Sequence, residues 1–147
     1  MKMEDGNIDR IFENMVRILP LLHKRLLRMD LGGVTGDLTR LHLAIMGMLS
    51  EGSMTVSELA RMSSMRKSQI THLIDKLVKL GVLERYPDAK DRRVINLALT
   101  DHGGVLLGEV KQKVKQNIKD KLSGLTPDEL ADMSAALETL KEIGAKL

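Results

Sequence analysis

The segment spanning residues 55–100 constrains the fold of this chain more than any other. Two stretches with apolar residues at helical spacing are joined by a Ser-Ser-Met turn, and two short runs rich in valine, isoleucine and leucine follow. These runs, residues 82–86 and 94–99, flank a charged turn, which predicts a β-hairpin. Helix, turn, helix and hairpin in this order are typical of readers of double-stranded DNA, because one helix fills the major groove and a charged hairpin reaches the adjacent minor groove.

Local signals place the ends of both helices. Thr55 and Glu58 form a predicted capping box at the start of a helix over residues 56–62. The second helix is predicted over residues 66–80, and Gly81 suits the left-handed conformation that ends a helix. Its apolar side carries Ile70, Leu73, Ile74, Leu77 and Leu80.

Further helices are predicted on both sides of this segment. The first covers residues 8–29 and carries two adjacent apolar stripes, more than a small core needs, so we expect one stripe to face a partner. Pro20 lies inside this helix and is predicted to kink or break it. Helices over residues 39–50, residues 100–122 and from Thr126 onward complete a mainly α fold with a small β-hairpin wing. The helix over residues 39–50 is predicted to point Leu41, Ile45, Met48 and Leu49 inward.

Length and composition place the chain among compact globular proteins. Its 147 residues suit one domain, which would bury roughly 68–70% of the unfolded surface. Hydrophobic residues make up 43% and charged residues 29%, which excludes a disordered chain. The sequence has no membrane-spanning apolar run, no signal-peptide pattern at its N-terminus and no cysteine for a disulfide or thiol switch. We therefore expect a cytoplasmic protein without a membrane partner.

Positive charge is concentrated in one segment. Residues 61–93 hold nine Lys or Arg and four Asp or Glu, a net charge of +5, whereas the whole chain carries +3, which leaves −2 for the remainder. This distribution is expected for a polyanionic partner, although a solvated basic face would look the same. Aromatic residues make up only 1%, namely Phe12 and Tyr86, so the chain cannot build a stacking platform for single strands. A duplex is therefore favoured.

The outward side of the second helix is rich in hydrogen-bonding and cationic groups. Such side chains suit base edges and phosphates, and the hairpin that follows favours recognition over an ordinary solvated face. Arg66 suits guanine and Gln69 suits adenine, whereas Ser68 and Thr71 suit phosphate. The predicted contact residues of this helix are Arg66, Lys67, Ser68, Gln69, Thr71, His72 and Lys76.

The turn of the hairpin carries three cations, Lys90, Arg92 and Arg93. An arginine that enters a minor groove gains from the enhanced negative potential there. Asp91 would repel phosphate if it were unpaired, so we predict that it orients Arg93 through a bidentate pair. The alternative is an ordinary surface ion pair, which contributes little to stability.

In these residues the chain resembles the MarR family of winged-helix transcriptional regulators. The matching landmarks are Leu59-Ala60, Thr71, Asp75, Leu77, Gly81, Glu84-Arg85, Asp91-Arg92-Arg93, Leu99-Thr100 and Gly103. The resemblance implies a single MarR-like domain, residues 1–147, in which residues 37–100 form a winged helix-turn-helix DNA-binding lobe. Residues 1–36 and 101–147 then supply N- and C-terminal dimerisation helices. It also implies that residues 66–76 are the recognition helix and that Arg93, oriented by Asp91, enters the minor groove.

The resemblance further implies an obligate homodimer on a pseudo-palindromic operator. Many members of the family respond to small phenolic or other anionic aromatic compounds, which bind between the dimerisation helices and the DNA-binding lobe. A carboxylate effector needs a cation, and methionines shape adaptable cavities. Candidate effector residues are Met15, Arg17, His23, Arg25 and Met46, against the plainer roles of surface charge and core filling. The peroxide-sensing branch needs a cysteine and is excluded.

Catalytic and metal sites are not indicated. The four histidines show neither i,i+4 pairing with one another nor a His-Glu-x-x-His pattern, and the sequence has no Gly-x-Ser-x-Gly elbow. We expect no enzyme activity, no metal and no cofactor. The preferred interpretation is a homodimeric, sequence-specific DNA-binding regulator, a repressor released by a small anionic aromatic ligand. Two alternatives stay open: a winged-helix module for protein interaction or dimerisation, and a DNA binder without an effector.

Overall fold

A computed structural model describes residues 2–28, 31 and 33–147, with side chains from residue 6 onward. The helices are α1 (Lys2–Leu22), α2 (Arg40–Leu49), α3 (Val56–Ser63), α4 (Lys67–Lys79), α5 (Asp101–Leu122) and α6 (Pro127–Gly144). The strands are β1 (Met54–Thr55), β2 (Leu83–Pro87) and β3 (Ile95–Leu99). The predicted mainly α fold with a small β wing is confirmed.

The wing belongs to a three-stranded antiparallel sheet with the order β1-β3-β2. Leu83 pairs with Leu99 and Pro87 pairs with Ile95, so the hairpin closes over the charged turn. Met54 of β1 lies opposite Leu97 on the other edge of β3. The predicted two-stranded hairpin is therefore extended by a strand of two residues, which is too short to show the alternation that identifies strands in a sequence.

The chain forms two compact units. We call residues Leu31–Lys113 the winged lobe, and Met1–Asp30 with Val114–Leu147 the helical unit. These boundaries differ from the predicted segments because the connector before residue 37 and the first half of α5 belong to the lobe. Leu107 of α5 is buried in the lobe core, which accounts for its place there.

The lobe core is built from the apolar faces of α2, α3 and α4 and from the sheet. The buried face of α2 is centred on Ile45, Met46 and Leu49, and His42 takes the inward position in the first turn. Leu41 was predicted to point inward but is 51% exposed, because it lies beside this face. Leu80, predicted on the apolar side of α4, is 46% exposed because the helix ends at Lys79. The most deeply buried core residues are Ile45, Met46, Leu59, Ile70, Ile74, Leu77, Val82, Leu83 and Leu97.

The predicted helix signals at α3, α4 and α6 are present. Glu58 N–H donates to Thr55 Oγ1 at 3.2 Å, and Thr55 N–H donates to the Glu58 carboxylate at 2.7 Å. Gly81 adopts φ +71°, the left-handed conformation that ends α4. Thr126 and Glu129 repeat the reciprocal cap of α3 at the start of α6. These caps satisfy backbone donors that a helix end leaves without partners.

One junction joins the end of α4, the start of β2 and the start of α5. Thr100 Oγ1 donates to Gly81 O at 2.6 Å and accepts from Gly103 N–H at 3.0 Å. A Cβ atom on Gly103 would lie 2.1 Å from Val82 O, so a side chain there would require the backbone to move. Gly103 therefore permits the close approach of α5 to the base of the wing.

In the helical unit, α1 continues through Pro20 to Leu22 and is followed by a π-helical segment, His23–Leu27. Of the predicted kink or break at Pro20, the break is wrong, and the change in hydrogen bonding begins at His23. The Lys121 ammonium of α5 donates to the Arg28 carbonyl oxygen at 2.6 Å, where the segment ends. Met29, the last residue of the predicted first helix, lies outside the described residues. Across the described part of the chain, no helix has the length and apolar character required to cross a bilayer.

Candidate nucleic-acid interface

Helix α4 separates its apolar and polar residues onto opposite faces. Ile70, Ile74 and Leu77 are fully buried, so the lobe core holds the helix by one side. The other side carries the predicted contact residues. Arg66, Lys67, Ser68, Gln69 and His72 are exposed, and Thr71 and Lys76 are half-buried. The structure thus brings all seven to one helix or to the residue that precedes it.

Two of these residues already make hydrogen bonds at the start of α4. Gln69 Oε1 accepts from the Arg66 backbone N–H at 3.3 Å, which caps the helix. The Thr71 hydroxyl donates to the Lys67 carbonyl oxygen at 2.8 Å. Gln69 would have to exchange its capping bond to read adenine in a bidentate way, whereas its NH₂ group is available as it stands.

The connector ahead of α2 is held against α4. Lys76 Nζ donates to the Asp37 carbonyl oxygen at 2.8 Å, a structural role that the sequence did not indicate. Thr39 N–H donates to His42 Nδ1 at 3.0 Å, so the imidazole caps α2. Burial, followed by the positive charge of Lys76 and the proximity of His72, lowers the pKa of His42 below its ordinary value. The neutral imidazole is therefore favoured, because Nδ1 must accept a hydrogen bond.

The wing tip is organised by a carboxylate that the sequence analysis did not single out. Asp88 Oδ2 accepts from the backbone N–H groups of Lys90 at 2.9 Å and Asp91 at 3.3 Å. Its other oxygen accepts from Asn96 Nδ2 at 2.9 Å. Hydrogen bonds from the Lys90 backbone, the Asn96 side chain and the Asp91 backbone, in that order, lower the pKa of Asp88. An Asp two residues before a turn amide is the signal that could have identified it.

Asp91 contacts Arg93, but with a different geometry from the predicted bidentate pair. Asp91 Oδ1 accepts from the Arg93 backbone N–H at 3.0 Å and lies 3.4 Å from Arg93 Nε. The Arg93 side chain is 94% exposed. Lys90 and Arg92 are exposed beside it. The tip therefore presents cations whose backbone is already fixed.

An ion pair between Arg85 and Asp75 joins β2 of the wing to α4. Both side chains are substantially exposed, so this pair contributes little to the free energy of unfolding. Its effect is geometric, because it joins strand β2 of the wing to α4. Both residues belong to the landmarks of the family resemblance.

The candidate effector residues are distributed over both units. Met46 has 0% exposure in the lobe core, so it offers no surface to a ligand and its predicted role is not supported. Met15, Arg17, His23 and Arg25 are exposed in the helical unit. A hollow of about 370 Å³ lies in that unit, but none of these four residues lines it. Its lining residues are Leu22, Leu26, Leu27, Ile118, Leu122, Leu130, Met133, Ser134 and Leu137.

Within residues 2–28, 31 and 33–147, no three His, Asp or Glu side chains gather in an arrangement that could hold a metal ion.

Residues 36–94 match the family model described as "MarR family". The HTH-type transcriptional repressor MdtR of Bacillus subtilis (strain 168) is 36% identical over 98 residues, which cover 65% of this chain and 63% of that protein. The chain thus spans less than two thirds of the length of the curated relatives that it matches first.

Solved structures share the fold over most of the chain. The YusO protein from Bacillus subtilis has a TM-score of 0.70 at 27% identity and covers 94% of this chain and 96% of its own. A mutant MarR from Escherichia coli complexed with operator DNA has a TM-score of 0.63 at 25% identity, with coverages of 86% and 92%.

Proposed function

We propose that this chain is a MarR-family winged-helix regulator, which it resembles over residues 36–94, and that it binds operator DNA and regulates transcription. The observation that carries the proposal is a combination on one lobe: the exposed polar face of α4 and a wing tip that presents a nearly fully exposed Arg93. The similar proteins are transcriptional regulators, which agrees with the prediction that this chain is not an enzyme.

In the proposed complex, α4 enters the major groove and the wing tip enters the adjacent minor groove. Arg66, Ser68, Gln69 and His72 are exposed and therefore face the DNA first, with Lys67 and Thr71 beside them. Lys90, Arg92 and Arg93 supply the minor-groove contacts, and Asp91 orients Arg93. Lys76 uses one of its three N–H groups on the Asp37 carbonyl oxygen, so the other two can reach a phosphate.

We propose that a second copy of the chain covers the apolar surface of the helical unit. Monomeric soluble proteins rarely expose large contiguous apolar patches. Two apolar stripes were expected on the first helix, and most of its large apolar residues are at least half exposed in the single chain. These residues are Ile8, Ile11, Phe12, Met15, Val16, Ile18, Leu19 and Leu21, and α6 adds Leu137, Leu140 and Ile143. A homodimer would present two lobes to half-sites of a pseudo-palindromic operator, which are about 34 Å apart per helical turn.

Release by a small anionic aromatic ligand is part of the proposal. The apolar hollow of the helical unit, about 370 Å³, is large enough for a small aromatic ring system. His23 directly follows the lining residue Leu22, and Arg25 directly precedes the lining residue Leu26; both are exposed and are the cations proposed to meet a carboxylate. The other two candidate effector residues of the helical unit, Met15 and Arg17, lie in α1 and do not line the hollow. MdtR is named a repressor, which favours repression as the sign of control.

Selection of bound duplexes from a random pool, followed by mobility-shift titration, tests DNA binding. Arg93→Ala should weaken binding of the selected duplex about 10- to 100-fold, because each of two wings loses a charged contact. Arg92→Ala is the matched control and should lose less, since Arg92 has no carboxylate to orient it within the described residues. Equal losses in the two variants would contradict the special role of Arg93, and no loss for Arg93→Ala would contradict the wing assignment.

Two further measurements separate the alternatives. A reader that contacts roughly 6–10 phosphates loses about 10³–10⁵ in affinity between 50 and 200 mM salt, whereas a protein-interaction module has no duplex affinity to lose. Thermal unfolding with a panel of aromatic acids separates an effector-responsive regulator from a DNA binder without an effector. A ligand that binds only the native state must raise the melting temperature, and binding should also release the duplex.

A further inference from the structure

The walls of the hollow in the helical unit are almost entirely hydrocarbon. Among the nine residues that line it, eight are Leu, Ile or Met and the ninth is Ser134. None of the nine is aromatic or charged. Such walls bind a ligand by burying its apolar surface and offer no ring for stacking. They therefore accept an alkyl chain as well as an aromatic ring, and they do not by themselves select an anion.

A cation lies at the edge of this hollow. The Lys121 ammonium donates to the carbonyl oxygen of Leu26, a lining residue, at 3.2 Å and to the Arg28 carbonyl oxygen at 2.6 Å. Lys121 is exposed in the last turn of α5 and directly precedes Leu122, another lining residue. The distance to the Leu26 oxygen places the charged atom itself, and not only the backbone of Lys121, beside the wall.

This ammonium is held in place and keeps donor capacity. It has three N–H groups, and the two carbonyl oxygens at the end of the π-helical segment use two of them. Both acceptors are neutral, so they do not compensate the positive charge. The acid next to it in sequence, Asp120, accepts from Gln116 Nε2 at 2.7 Å. A carboxylate can therefore accept a charge-assisted hydrogen bond from Lys121 while the other two remain, and little ordering entropy is lost.

We propose that Lys121 is the anion-recognition residue of this hollow and that the hollow takes a monocarboxylate with an apolar body, either alkyl or aryl. The body is buried against the walls, and the carboxylate accepts from the Lys121 ammonium. His23 and Arg25 contribute weaker contacts from the exposed side. The inference rests on the proposed function, because it requires the hollow to be the effector site. Lys121 was not among the candidate effector residues that the sequence indicated.

The test uses the full chain and calorimetric titration with octanoate, 4-phenylbutyrate and the uncharged octanamide. Lys121→Gln removes the charge but keeps N–H donors for the two carbonyl oxygens, and Lys121→Arg keeps the charge. Lys119→Gln is the matched control, because Lys119 is exposed on the same helix and does not line the hollow. Ser134→Phe narrows the hollow and shows whether the probes bind there.

Wild type should bind the two carboxylates within about tenfold of each other. Lys121→Gln should weaken octanoate binding about 10- to 100-fold and octanamide binding less than about threefold, because only the carboxylate loses a charged donor. Lys121→Arg and Lys119→Gln should bind octanoate within about fivefold of wild type. Ser134→Phe should lose both octanoate and octanamide, since both bodies need the same walls.

Two other results would overturn the inference in different ways. If wild type binds octanoate and Lys121→Gln behaves like Lys119→Gln, the role of Lys121 is refuted and the effector hollow survives. If no probe binds wild type, the effector part of the proposed function fails together with this inference. Leu137 belongs both to the hollow and to the surface proposed for a second copy. A monomeric Ser134→Phe in sedimentation would then assign the hollow to that copy.

Discussion

At the scale of single residues, the wing depends on two carboxylates with different tasks. Asp88 accepts three hydrogen bonds and shapes the tip, and Asp91 holds the backbone N–H and Nε of Arg93. These hydrogen bonds within the tip order the loop before it meets a ligand, so less conformational entropy is lost on binding. Because the pKa of Asp88 is lowered, its carboxylate keeps these bonds as the pH falls through the ordinary range and loses them only below it.

Asp88→Ala should therefore weaken DNA binding about 5- to 20-fold, because the tip must be ordered during binding. The oligomeric state and the melting temperature should change little, since Asp88 is only half-buried and holds the backbone of the exposed residues Lys90 and Asp91. Titration of the selected duplex, with light scattering for mass, gives both readings. If Asp88→Ala binds the duplex with unaltered affinity, the hydrogen bonds that Asp88 accepts within the tip are not needed for DNA binding.

At the scale of secondary-structure elements, α4 is fixed at several points. Arg85 joins it to the wing through Asp75, and Lys76 joins it to the connector ahead of α2. At its end, Val82 N–H donates to Leu77 O at 3.1 Å and Gly81 N–H donates to Val78 O at 3.0 Å, the paired bonds of a Schellman motif. The start of α5 packs onto this junction through Gly103.

Two adjacent glycines of α5 should respond to alanine in opposite ways. A Cβ on Gly103 would meet Val82 O at 2.1 Å, whereas a Cβ on Gly104 would meet nothing within 4 Å. We expect Gly103→Ala to lower the free energy of unfolding by about 1–3 kcal/mol or more, through forced backbone movement. Gly104→Ala should raise it by about 0.5–1 kcal/mol through helix propensity. Urea unfolding at one protein concentration measures both, and a tolerated Gly103→Ala would contradict the close approach.

His42 should make stability depend on pH. Its folded pKa is lowered from the ordinary value of 6.5, so near that pH the unfolded chain binds more protons than the folded chain. The stabilisation of the folded state that this difference in pKa provides is complete above pH 6.5. It is lost as the pH falls toward the lowered folded pKa of His42. His42→Gln keeps an acceptor for Thr39 N–H without titrating, so its unfolding free energy should fall less between pH 7.5 and pH 5.5. Parallel pH profiles for the two proteins would contradict this role.

Sequence reasoning located α3, α4 and the wing because each is marked by local chemistry: the Thr55–Glu58 cap, the apolar stripe of α4, which was predicted to extend as far as the exposed Leu80, and Gly81. It missed features that depend on contacts distant in sequence. The bond from Lys76 to Asp37 is one, and the pairing of β1 with β3 is another. Leu41 was misplaced because its spacing from Ile45 suits burial. The buried face of α2 is instead centred on Ile45, Met46 and Leu49.

At the scale of the whole molecule, the proposed function assigns a different role to each of the two units. The winged lobe supplies the DNA-facing groups, and the helical unit supplies apolar surface for a second copy and a hollow for an effector. An effector that prefers one conformer by about 1–3 kcal/mol would lower operator affinity roughly 5- to 150-fold.

The central claim is that two copies of the chain bind one duplex. Sedimentation of the wild-type chain at micromolar concentration, alone and with the selected duplex at low ionic strength, tests it most directly. We expect a dimer in both cases and two chains for each duplex. A chain that remains strictly monomeric, or that leaves the duplex sedimenting alone, would contradict the claim.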